Sequence, residues 1–175
     1  MKDKVLIVDD DAMVLAVLKR QLRKQFRIDT ALNGEEALKQ VQENGPYAVI
    51  VSDFMMPSMN GIEFLAHVKK TSPDTVRMML TGSADMPTAI RAVNEGNIFQ
   101  FHPKPCPADI LSQAIQSAIQ KYHKVVSHQQ QLNNFKSSLE KASKVQHELL
   151  PKSDPDFDGF DIDGRSIWCD ETGGE

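Results

Sequence analysis

Five short apolar runs, each ending at a polar residue and each followed by an amphipathic stretch, constrain this chain more than any other feature. Residues 4–9 (KVLIVD) form an uninterrupted, β-branched-rich run, the pattern of a strand buried on both faces of a parallel sheet. From Asp11 to Gln25, Val14, Leu15, Leu18 and Leu22 share one helical face, and a second helix follows Gly34 through Ala37, Leu38 and Val41. YAVIVSD (47–53) is another buried strand, the segment after Asn60–Gly61 is helical with Ile62, Leu65 and Val68 inward, and VRMMLT (76–81) is a third strong strand. Asp85–Met86–Pro87 starts a helix that Gly96 closes, since proline in a first turn lacks only an N–H with no helical partner. IFQFHPKP (98–105) is the last strand, and RIDTA (27–31) is a weaker one.

Strand–helix alternation repeated five times predicts an α/β fold: a doubly wound, five-stranded parallel sheet of the flavodoxin-like kind. Binding sites in such sheets lie at the carboxyl ends of the strands. Asp9, Asp10, Asp53, Thr81 and Lys104 each stand at such an end, so the topology gathers residues that are distant in sequence into one pocket.

Composition narrows the possible functions. Twenty basic against twenty-four acidic residues give a net charge of −4 with no block of one sign, which disfavours a nucleic-acid partner. Cys106 and Cys169 have no disulfide or metal-ligand spacing and fit a reducing compartment, with the cytoplasm as the expected location. The apolar run after Met1–Lys4 is too short for a secretion signal, and no later run is long enough to span a bilayer, so no membrane partner is expected.

The strand-end residues suit phosphoryl transfer to a carboxylate, which needs an acceptor oxygen, a divalent cation and a fixed positive group. Asp9, Asp10 and Asp53 offer the hard oxygen ligands that Mg²⁺ takes, Lys104 offers a compact ammonium, and Thr81 offers a hydroxyl donor. Each residue alone has a plainer reading: an acidic run after a strand caps a helix, as Asp11 is expected to do, Lys104 would be a solvated charge, and Phe101 would be core.

VDDD (8–11), DFMMPSMNG (53–61), LTGSAD (80–85) and FHPKP (101–105) together resemble the CheY-like receiver domain of bacterial response regulators, over residues 4–121. The resemblance implies phosphorylation of Asp53 by a sensor histidine kinase. It implies Mg²⁺ held by Asp10 directly, by Asp9 largely through water, and by Asp53 and the Met55 carbonyl. It further implies a Thr81–Phe101 switch pair and a cis peptide at Lys104–Pro105 that aims the lysine inward. Met55 and Ser83 fall at the family's lifetime-tuning positions. A thioether is a poor partner for an attacking water, so a long-lived phosphoryl group is expected.

From Ala108 to Leu150 the sequence contains no proline or glycine. Ile115, Ala118, Tyr122, Val125, Gln129 and Leu132 alternate three and four apart, as do Leu132, Phe135, Leu139, Ala142, Gln146 and Leu149, with a phase slip at Leu132. A long helical extension that forms a homodimer through a parallel coiled coil is expected; a helix packed only on its own domain is the alternative. The expected divisions are 1–121 (receiver), 122–150 (coiled-coil linker) and 151–175 (start of an output domain).

The run from Gln146 (QHELLPKSDPDFDGFDIDGRSIWCDETGGE) is similar to the opening of SpoIIE/RsbU-type PPM serine/threonine phosphatases, with Glu175 where that family has a metal-binding aspartate. Phe157, Phe160, Ile162, Ile167 and Trp168 argue against a purely disordered tail. The body of such a domain is missing here, so this stretch is not expected to act as an enzyme. The resemblance implies a downstream protein partner or phosphoprotein substrate, and a catalytically dead phosphatase-like adaptor is the alternative. GGE is also similar to the diguanylate cyclase signature, but too few residues separate LLP from Gly173 for that domain.

Overall fold

Parallel strands buried on both faces need a helical cover on each side, and that requirement organises the fold. The computed structural model describes residues 2–82, 98–149, 168–169 and 172–173. Strands β1 (Lys4–Val8), β2 (Arg27–Ala31), β3 (Val49–Asp53), β4 (Val76–Thr81) and β5 (Gln100–Pro103) form one sheet, and helices α1 (Ala12–Leu22), α2 (Gly34–Asn44), α3 (Gly61–Thr71) and α4 (Ala108–Leu149) accompany it. The strand order is β2-β1-β3-β4-β5, all parallel, so the winding direction reverses between β1 and β3. The helix expected over Asp85–Gly96, and Ser83 with it, lie outside the described residues.

The period-two alternation of the strands assigns their side chains to two cores. Val5, Ile7, Val49, Val51, Val76, Met78 and Leu80 pack with Leu15, Leu18 and Leu22 of α1 and with Leu111, Ile115 and Ala118 of α4. Leu6, Val8, Ile50 and Met79 face the other way, onto Ala37 and Val41 of α2 and Phe64, Leu65 and Val68 of α3.

The first three helices start on caps that follow strand ends. Asp11 Oδ1 accepts from the Met13 and Val14 amides at 2.7 and 3.4 Å, Asn33 Oδ1 from Glu36 at 2.8 Å, and Asn60 Oδ1 from Glu63 at 3.0 Å. Helix α1 stops at Leu22 rather than Gln25, because the chain turns there and carries Phe26 into the core. Strand β5 is shorter than 98–105, although its backbone bonding to β4 extends to Phe99 N–Arg77 O at 2.7 Å and Lys104 N–Thr81 O at 2.8 Å.

The first part of the expected coiled-coil seam is not free. Ile115 and Ala118 are fully buried in the chain's own core, and Tyr122 packs against the same cluster. Up to Tyr122, the three-and-four spacing serves the domain rather than a partner. The chain divides into two compact units, Met1–Val126 and Ser127–Glu175. In the second, Trp168–Cys169 (β6) and Thr172–Gly173 (β7) pair antiparallel, while Phe157, Phe160, Ile162, Ile167 and Glu175 lie outside the described residues. No helix among the described residues is long and apolar enough to cross a membrane.

Candidate functional site

The carboxyl ends of β1, β3, β4 and β5 bring the predicted residues together. Asp53 is the last residue of β3 and Thr81 the last of β4, while Asp9 and Lys104 directly follow β1 and β5. Asp9 and Asp53 are buried and Asp10 is exposed, and carboxylate oxygens of the three lie within 4.8 Å of one another. Lys104 Nζ donates to Asp9 Oδ2 at 2.7 Å and lies 2.7 Å from Asp53 Oδ1. Asp9 Oδ1 in turn accepts from the Asp11 amide at 3.0 Å, which fixes the carboxylate's orientation.

Electrostatics follows from this crowding. Burial pushes the Asp53 carboxyl above its ordinary range; Lys104 pulls it back, and Asp9 pushes it further up. Burial works against the Lys104 ammonium, but its bonds to Asp53 and Asp9 hold it above its ordinary value. Three carboxylates against one ammonium leave the pocket two positive charges short. Oxygen-only donors in that arrangement fit a hard divalent cation such as Mg²⁺.

Thr81 is fully buried, and its hydroxyl donates to the Gly82 carbonyl at 3.1 Å. Phe101 sits half-buried on the α2/α3 side of the sheet, paired in register with Met79. Met55 exposes 62% of its surface beside the pocket, and the peptide bond between Lys104 and Pro105 is cis.

Two features escaped the sequence reading. Gly61 opens α3 against the end of β3, where a Cβ would lie 2.1 Å from the Asp53 carbonyl oxygen. Asn60–Gly61 was legible as the point where a helix begins, but not as a close approach of two backbones. The second is an apolar groove of about 680 Å³ beside Lys104, between Met13, Val14 and Val17 of α1 and the Pro105–Cys106–Pro107 turn.

The family model for the response regulator receiver domain matches residues 5–116. The chain belongs to this family. Its receiver is a two-component signalling domain, of the class that pairs with sensor histidine kinases and binds Mg²⁺ at an acidic pocket, and such a domain is not itself an enzyme. Among curated relatives, the hydrogenase transcriptional regulatory protein HoxA of Cupriavidus necator is 35% identical over 69% of this chain and 25% of its own length. The DNA-binding transcriptional regulator NtrC of Proteus hauseri is 30% identical over 82% of this chain and 29% of its own. The chain thus spans little more than a quarter of those relatives. Among solved structures, a Rhodopirellula baltica protein described as an adenylate cyclase superposes with a TM-score of 0.74 at 39% identity, covering 76% of this chain and 98% of that one. A Clostridium thermocellum response regulator receiver domain superposes at 0.66 with 31% identity, covering 70% and 98%.

Proposed function

We propose that Asp53 is the phosphoacceptor and that phosphorylation there is relayed through α4 to an output domain. The observation that carries this is the Lys104 ammonium held 2.7 Å from both Asp9 and Asp53. One Asp53 oxygen is engaged by Lys104, and the other attacks the phosphorus of a kinase phosphohistidine. The O–P bond forms as the N–P bond breaks, and the electron pair leaves with the imidazole. Asp9, Asp10, Asp53 and the Met55 carbonyl would hold an Mg²⁺, which would supply positive charge for the incoming phosphoryl oxygens. Lys104 then shifts one of its hydrogen bonds from the Asp53 carboxylate to a phosphoryl oxygen. Thr81 gives up its bond to Gly82 to donate to another, and Phe101 follows into the space beside β4.

The test is an intact-mass measurement with a small-molecule phosphodonor. One phosphoryl group per chain is expected with Mg²⁺ and none after chelation; uptake indifferent to chelation would overturn the proposed role of the carboxylates. Met55, whose thioether is a poor partner for an attacking water, supports a slow return. The phosphorylated protein is expected to retain its label for minutes at neutral pH, and loss within seconds would contradict that reading.

Beyond the switch, α4 joins two copies of the chain, and the stretch after Leu150 begins a PPM-type phosphatase output acting on a phosphoprotein. The LLP run at Leu149–Leu150–Pro151 and the GGE at Gly173–Gly174–Glu175 support that output. A catalytically dead adaptor that only binds its partner is the second reading, favoured by Glu175 in place of aspartate. Mn²⁺-dependent phosphatase assays on the protein carrying its complete output domain separate the two. The matches to HoxA and NtrC span only 25% and 29% of those proteins and carry no weight for the output.

A further inference from the structure

With Ile115, Ala118 and Tyr122 committed to the receiver core, the exposed large apolar side chains of α4 beyond that core begin at Val125, and from there the phase slip disappears. Val125, Leu132 and Leu139 stand seven residues apart, and His128, Phe135 and Ala142 follow each of them by three. In the sequence, Gln146 and Leu149 continue both series. This is one unbroken heptad register, and His128 occupies a place in it that Gln129 held in the slipped reading.

The exposure of these residues supports a partner. Val125, Leu132 and Phe135 expose 38%, 41% and 61% of their surface, His128 and Ala142 are exposed, and Leu139 is half-buried. A helix segment of this length gains most of its stability by packing an apolar face, and a seven-residue period selects another helix with the same period as that packing partner.

Resting on the homodimer reading above, we propose that residues 125–149 pair in parallel with the same residues of a second copy, with Val125, Leu132 and Leu139 in one set of layers and His128, Phe135 and Ala142 in the other. His128 then meets His128 and makes a polar layer between the Val125 and Leu132 layers. A polar core residue of this kind lowers stability and fixes alignment, because any shift sets it against apolar side chains. Lys136 decides the orientation. In the parallel pair it flanks Gln131 of the second copy. In an antiparallel pair with full overlap it lies beside Lys136 of the second copy, a like-charge contact that the parallel arrangement avoids.

Sedimentation equilibrium on the full chain is expected to give a dimer, and the double variant Leu132→Glu, Phe135→Glu a monomer whose receiver melts as in the parent protein. His128→Leu is expected to tighten the dimer by about tenfold, since it removes a buried polar layer. A parent protein monomeric at every concentration overturns both this seam and the homodimer reading. A dimer that survives the glutamates overturns the seam alone, and an unchanged or weaker dimer in His128→Leu overturns the place given to His128. With Cys106→Ser and Cys169→Ser as background, Phe135→Cys is expected to cross-link to itself. Cross-linking of Leu132→Cys to Ala142→Cys in mixed samples, in its place, overturns the parallel orientation.

Discussion

Replacing Asp53 with asparagine is expected to abolish phosphoryl uptake completely while leaving the thermal midpoint in metal-free buffer unchanged or raised. The two effects share one cause. Asparagine has no anionic oxygen with which to attack phosphorus, but its carbonyl can still accept from Lys104, which also keeps Asp9 at 2.7 Å. Asp53 is 5% exposed, and burial and Asp9 both oppose its charge. A carboxyl raised in this way costs the folded state nothing below its ordinary unfolded pKa, a growing amount as pH rises toward its folded pKa, and the full amount above that, so removing the charge relieves a cost at neutral pH. The acceptor is thus held at some expense in stability, as functional groups often are. Lys104→Ala is the contrasting variant: it strips both buried carboxylates of their counter-charge and is expected to lower the midpoint. Intact mass and thermal melts of the two variants check this, and stoichiometric labelling of Asp53→Asn would remove Asp53 as the acceptor.

The sheet and its site were legible in the sequence because one physical rule generates both. A strand buried on two faces must be apolar until it surfaces, so the first polar residues after each run mark the sheet's carboxyl edge, and Asp9, Asp53, Thr81 and Lys104 were found there. The Asp11 cap was legible for a similar reason, a short acceptor where an amide lacks a partner, and Asn33 and Asn60 cap their helices in the same way. The early part of α4 was misread because a helix packed on its own sheet and a helix packed on a twin use almost the same period. Ile115 and Ala118 satisfy either pattern, and only their burial assigns them to the receiver. The apolar groove beside α1 was not legible, since Met13 and Cys106 are far apart in sequence and neither belongs to a pattern.

Gly61→Ala is expected to cost about 3 kcal/mol of stability and to impair phosphoryl uptake without touching any group that contacts phosphate. The added methyl would lie 2.1 Å from the Asp53 carbonyl oxygen, 3.0 Å from its carbonyl carbon and 3.1 Å from Ser52 Oγ. Two of these atoms belong to backbone, so no side-chain rotation relieves the clash. The neighbours are also held: the Phe54 amide donates to Leu80 O and the Gly61 amide to Phe54 O, both at 2.9 Å, and Ser52 Oγ donates to Asp53 O at 2.8 Å. Relief therefore comes from moving the start of α3, which breaks the Gly61–Phe54 bond, or from moving the end of β3, which carries Asp53 away from Lys104. The first route lowers stability and spares chemistry, whereas the second lowers both. Gly34→Ala serves as the control, because its Cβ would meet chiefly the flexible thioether of Met59, with Sδ at 2.8 Å, and a rotamer change can yield that space. Urea midpoints and initial labelling rates of the two variants decide the matter. A Gly61→Ala protein as stable and as quickly labelled as the Gly34→Ala one would show that β3 and α3 are not locked together at the acceptor.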